Sequence, residues 1–116
     1  MTARRVILEM GSGNDLHGGD YTKAAIRAVE DAIHHSSLPL IRTLGLDSHR
    51  MLVEVTIGVQ RPEEVDAAAV KNALPHGDVT VSVVKGGLDV PDEDAGDTAV
   101  IASAAVAVRL DLPKAK

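Results

Sequence analysis

The chain has 116 residues, a formal net charge of −5, no cysteine, and a single tyrosine with neither phenylalanine nor tryptophan. That length supports one domain, residues 1–116, around one core, and the missing cysteines exclude disulfides, thiolate metal sites and a cysteine nucleophile. The acidic balance, with no lysine and arginine cluster interleaved with aromatics, argues against nucleic acid as a partner. No apolar run approaches the ~20 residues of a membrane span and no signal-peptide pattern opens the chain, so a soluble, cytoplasmic protein is expected.

Residues 5–10 alternate, with Val6, Leu8 and Met10 on one face, and predict a first strand. It leads into Glu9-Met10-Gly11-Ser12-Gly13-Asn14-Asp15-Leu16-His17-Gly18-Gly19-Asp20, which reads as a glycine-rich turn between strand and helix. Its glycines suit positive φ and exposed N–H groups, while Asp15, His17 and Asp20 offer ligands or proton carriers. It is neither familiar nucleotide loop: Leu16 stands at the third-glycine place of G-x-G-x-x-G, and no Gly-Lys-Ser/Thr ending follows.

Asp20 suits an N-cap, and Tyr21, Ala24, Ala25, Ala28, Val29, Ala32 and Ile33 form an apolar helical stripe with Lys23, Arg27, Glu30 and Asp31 largely off it. The helix is expected to stop near Ser36-Ser37, before Pro39. Leu38 to Leu46 is apolar but broken by Pro39 and Gly45, and suits a helical turn. Met51, Val53, Val55, Ile57 and Val59 alternate with Leu52, Glu54, Thr56 and Gly58, the clearest strand in the chain, with a semi-polar second face. Pro62 with Glu63 and Glu64 predicts the start of an Ala-rich helix ending by Pro75-His76-Gly77. Residues 78–85 then predict a strand, 86–97 a loop, and 98–112 a long final strand.

The order β-α-β-α-β-β predicts an α+β two-layer sandwich: a four-stranded mixed sheet with two helices on one face. The other face needs a cover. Burial here rests on aliphatic side chains worth at most ~1.5–3 kcal/mol each, so self-association is expected to supply it. The order resembles the chorismate-mutase-like fold, shared with the small imine deaminases, in which three sheets pack together. That resemblance implies a homotrimer, or a multiple of three.

Gly11, Gly13, Asp15, His17 and Gly18 match G-x-G-x-D-x-H-G and resemble the signature of a family of uncharacterised conserved hypothetical proteins. Asp20-Tyr21-Thr22-Lys23-Ala24-Ala25 and the chain length extend the resemblance over nearly the whole sequence. It implies no particular reaction. A second resemblance lies in Val83-Val84-Lys85-Gly86-Gly87-Leu88 and Ala102-Ser103-Ala104-Ala105-Val106-Ala107-Val108, which are similar to the repeat of the cyanuric acid hydrolase and barbiturase ring-opening amidohydrolases. Those enzymes carry three repeats around a pseudo-threefold axis with serine–lysine pairs at the centre. The resemblance assigns the lysine to Lys85 and the serine to Ser103. A lysine whose charge is disfavoured accepts the serine proton, and the serine attacks an amide or imide carbonyl. The chain departs from that repeat where an arginine should precede the serine; here stands Asp97-Thr98-Ala99-Val100.

The candidate catalytic residues are therefore Lys85, Ser103 and His17, and the candidate ligand-binding residues are Gly11, Gly13, Asp15, Gly18 and Asp20. The loop has two possible occupants. Backbone N–H groups of Gly18 to Tyr21 favour an anion with His17 protonated; Asp15 with neutral His17, and Asp20 beside them, favours a divalent metal. Each candidate also has an ordinary reading: turn hydrogen bonds for Asp15 and His17, a solvated strand end for Lys85, a small packed residue for Ser103. Glu9 and Glu54 form a possible carboxylate pair. His34 and His35 suit a helix end, His49 and His76 lie in loops, and Asp89, Asp92, Glu93, Asp94 and Asp97 lack calcium-loop spacing and read as a solvated hairpin tip. The leading expectation is a small oligomeric hydrolase of cyclic amides or imides; the alternatives are a non-catalytic anion- or metal-binding module and an imine-deaminase-like enzyme.

Overall fold

The computed structural model describes residues 4–34, 51–74 and 77–110. Its axis is the long strand β5 (Asp97–Leu110), whose alternate residues Val100, Ala102, Ala104, Val106, Val108 and Leu110 are buried on one side. Along one flank β5 pairs antiparallel with β1 (Arg4–Asp15), from Arg4 opposite Leu110 to Asp15 opposite Val100. Two strands share the other flank. β2 (Met51–Val59) lies antiparallel to Ser103–Leu110, and β4 (Leu88–Asp92) pairs with Asp97–Ile101. Outside β2 runs β3 (Asp78–Lys85), parallel to it, giving the order β1-β5-β2-β3 with β4 off that path.

The helices α1 (Tyr21–His34) and α2 (Ala67–Asn72) join this mixed sheet in an α+β fold. The predicted stripe of α1 is its buried face, Tyr21, Ala24, Ala25, Ala28, Val29 and Ala32, and β2 supplies Met51, Val53, Val55, Ile57 and Val59 to the same core. No helix among the described residues is long and apolar enough to cross a membrane.

The glycine-rich stretch departs from expectation. β1 does not end at Met10 but continues through Gly11, Ser12 and Gly13 to Asp15. Gly11 and Gly13 have no positive φ; a Cβ on Gly11 would stand 2.5 Å from the Ala28 carbonyl oxygen, and one on Gly13 2.3 Å from the Ala28 nitrogen. They are flat strand residues over which α1 lies almost in backbone contact, and Ala24, Ala28 and Ala32 are small for the same reason. Only Gly18 (φ 95°) and Gly19 (φ 61°) use glycine's conformational freedom in the turn that follows.

Three further expectations differ. The helix expected from Pro62 is a 3-10 turn over Pro62–Glu64 and a separate α2. Asp66 starts the second piece by accepting the Ala69 N–H at 3.2 Å. The expected loop 86–97 contains β4, so the sheet has five strands rather than four. Glu9 and Glu54 are not neighbours: β5 separates their strands, and by register Glu9 shares a line with Val106 and Glu54 with Ala107, on opposite faces. Glu54 instead pairs with Arg109. The expected helix stop at Ser36-Ser37, the segment Leu38 to Leu46, and His35, His49 and His76 lie outside the described residues.

Among the described residues no helix lies on the second face of the sheet. Val6, Leu8 and Met10, which gave β1 its alternation, are on the exposed side, Met10 at 69%. By register Met10 stands beside Ala105 and Thr56, and Leu88 beside Ile101 and Asn14. Leu52, Val84, Leu88 and Val90 are exposed as well. The middle of this face is made of small groups, Gly58, Ser103, Ala105 and Ala107, so it is shallow, with Thr56 and the Glu54–Arg109 pair beside them. The free edge of β1 is partly closed by α1: the Ser12 N–H donates to Asp31 at 3.0 Å, and Arg27 donates to the Asn14 carbonyl at 2.7 Å.

Candidate ligand-binding site

The β1–α1 turn is organised by Asp15, a buried carboxylate at the strand's end. Its Oδ2 accepts the Asp20 N–H at 3.0 Å, and its Oδ1 lies 3.7 Å from Arg27 Nη1 and 4.0 Å from Lys23 Nζ. Lys23 and Arg27 are four residues apart on α1, so one helix face brings both cations over the carboxylate. Asp20 is the N-cap, accepting the Lys23 N–H at 3.0 Å. Asp15 and Asp20 therefore fold the turn.

His17 points the other way. Its Nδ1 is 3.1 Å from Asp97 Oδ2, while Asp97 Oδ1 accepts the Gly18 N–H at 2.8 Å and the Thr98 N–H at 2.9 Å. The Gly18 N–H first, then His17 and the Thr98 N–H, hold the Asp97 carboxyl below the usual carboxylate range. The His17 side chain is otherwise 89% exposed. Asp97, expected in a solvated hairpin tip, is the residue that ties the turn to β5. No local signal marks it, since 80 residues separate it from His17.

Among the described residues no three His, Asp or Glu side chains converge as metal ligands. Asp15 faces two cations and His17 faces Asp97, an arrangement that does not fit a divalent ion shared between them. Gly11 and Gly13 lie under α1 rather than in the turn.

Ser103 and Lys85 are both exposed. Ser103 stands opposite Gly58, and Lys85 opposite the next residue, Val59, so by register their side chains leave opposite faces of the sheet. One chain does not join them.

A second polar cluster was not anticipated. The Tyr21 hydroxyl donates to Asp89 Oδ2 in a short hydrogen bond. Asp89 stands opposite Val100 on the helix-facing side of β4, and its Oδ1 is buried with no donor among the described residues. This bond to Asp89, with burial, pushes the Tyr21 hydroxyl up to about 12. The Arg61 guanidinium acts through space on both Tyr21 and Asp89 and lies 3.4 Å from Glu64. Gln60 secures the adjoining turn by donating to the Gly86 and Gly87 carbonyls at 3.0 and 3.3 Å. Tyr21 was legible as a helix-stripe residue and Asp89 as an acid near a hairpin; nothing in their spacing joins them.

This chain is similar to an FtsZ-like protein of unknown function from Nostoc punctiforme PCC 73102, known from a crystal structure. The two are 37% identical and superpose with a TM-score of 0.82 over 97% of this chain and 99% of that one. No curated protein matches the chain. Residues 5–108 match the profile of a family described as conserved hypothetical protein (Lin0512_fam).

Proposed function

We propose that this protein, which belongs to the Lin0512 family of conserved hypothetical proteins, is an oligomeric binding module for a small polar ligand, built as a homotrimer or a multiple of three. The observation that carries the assembly is the sheet face that no described element covers, with Leu8, Met10, Leu52, Val84, Leu88 and Val90 exposed on strands whose other side is the core. Exposed aliphatic side chains set among small residues on a sheet face are stabilised by a second such face. Pairing through the β1 edge is hindered where Asp31 and Arg27 already occupy it. Light scattering at micromolar concentration is expected to give a trimer or its multiple, and a Leu8→Asp, Met10→Asp double variant a monomer. A monomeric native protein would overturn the assembly.

A second reading is hydrolysis of a cyclic amide or imide by Ser103 and Lys85. It is favoured by the exposure of Ser103 on the face that assembly would cover, and it requires the lysine of another copy. Turnover should then vanish in Ser103→Ala and in Lys85→Ala, and return in part when the two variants are mixed into shared oligomers. Unchanged turnover in either single variant rules this reading out.

A further inference from the structure

We propose that the outer edge of β3 is a second interaction surface, and that its partner is β3 of another copy of this chain, added antiparallel so that two sheets become one. The contact differs from the packing of sheet faces proposed above and does not rest on it. Among the described residues the sheet has three edge strands, and two of them are guarded. The β1 edge is occupied by Arg27 and Asp31 of α1. β4 is short and carries Pro91, which has no N–H, between Asp89 and Asp92. β3 has neither device. β2 is its sheet neighbour among the described residues, and Val79-Thr80-Val81-Ser82-Val83-Val84 contains no charge, proline or glycine and no register shift. A long, β-branched edge of this kind is a template for another strand.

Burial along β3 says what fits beside it. On the helix side Val81 and Val83 are only partly buried, whereas Val55 and Ile57, their neighbours on β2, are fully buried. The core thins at β3 although α2 packs there. On the other side stand Thr80, Ser82 and Val84, all exposed. A partner strand has to match valines on one side and hydroxyls on the other, and β3 itself does so. Two copies related by a two-fold axis through Val81, perpendicular to the sheet, keep their helices on the same face. Val81 then stands opposite the partner's Val81, Val79 opposite the partner's Val83, and Thr80 opposite the partner's Ser82, so valine meets valine and hydroxyl meets hydroxyl. Moving the axis to Ser82 sets Val79 against the partner's Lys85 and Thr80 against the partner's Val84, which loses both matches. A trimer built through the sheet faces would present three such edges, and two trimers joined by them make six copies, a multiple of three.

The test is a cysteine placed on the axis, in a chain that has none of its own. Opposed residues of an antiparallel pair have Cα atoms about 4.5–5.5 Å apart, within disulfide range. With oxidised glutathione as the oxidant, Val81→Cys should form a covalent dimer at least roughly tenfold faster than Val83→Cys, which lies on the same side and is also partly buried but stands opposite the partner's Val79. Equal cross-linking of the two, or none in Val81→Cys at roughly millimolar protein, would overturn the edge contact. Hydrogen exchange on the native protein gives a second reading that needs no variant: protection of the Thr80 to Val84 amides should rise with protein concentration. Protection that persists in a monomer, as read by light scattering, would mean that another segment of the same chain covers the edge, and also overturns the proposal. The covalent dimer should form as well when Val81→Cys is combined with Leu8→Asp and Met10→Asp, so failure of the face assembly and failure of this edge are separate results.

Discussion

At Gly13 one added methyl group would put a carbon 2.3 Å from the backbone nitrogen of Ala28, and backbone cannot step aside as a side chain can. Gly13→Ala is therefore expected to cost about 1–3 kcal/mol as α1 lifts from β1, read as a fall in Tm of several degrees. Asp97 carries a different signature. Its folded pKa lies below its unfolded value, so its contribution to stability is fully present above the ordinary carboxylate range and is lost as pH falls through the folded value. The Tm difference between the native protein and Asp97→Asn should thus be present above the ordinary carboxylate range and be lost as the solution is made more acidic than that range. Tyr21 runs the other way. Its folded pKa of about 12 means that its bond to Asp89 contributes in full below pH 10 and is lost as pH rises through 12. It is the chain's one tyrosine, so ultraviolet titration reads it directly. The midpoint should lie near 12 and return toward 10 in Asp89→Ala.

Among the described strands, β4 is the shortest: five residues paired to β5, with the Tyr21–Asp89 bond as a side-chain tie to α1. Tyr21→Phe should speed amide hydrogen exchange in Leu88 to Asp92 while leaving β2 protected; uniform acceleration would mean the bond supports the whole fold instead. The elements legible in the sequence were those whose signal is local. β2 was visible because burial alternates strictly, and α1 because its apolar stripe and N-cap lie within one segment. β4 was hidden by Pro91 and by acids that suggest a loop, although a short edge strand tolerates both. The glycines were misread for a related reason. Glycine in isolation signals freedom to turn, whereas at Gly11 and Gly13 it records the approach of a helix one element later. The candidate site was legible as a turn but not as a set of partners, because Asp97 and Asp89 reach His17 and Tyr21 across 80 and 68 residues.

For the molecule as a whole, the proposed assembly through the sheet face would couple folding to concentration. If copies cover one another there, the native Tm should rise with protein concentration, whereas that of the Leu8→Asp, Met10→Asp variant should not. β5 imposes a second global property. Among the described strands it alone pairs with β1 and β4, and it bridges β1 to the β2–β3 pair, yet it follows all of them in sequence. During synthesis, β1 and α1 leave the ribosome with no sheet to join, and the apolar residues of both faces wait in solution until the final strand emerges. A chain stalled just before Asp97 would therefore hold the β2–β3 pair without the strand that joins it to β1 and β4, and its apolar segments are expected to stay exposed until β5 is added.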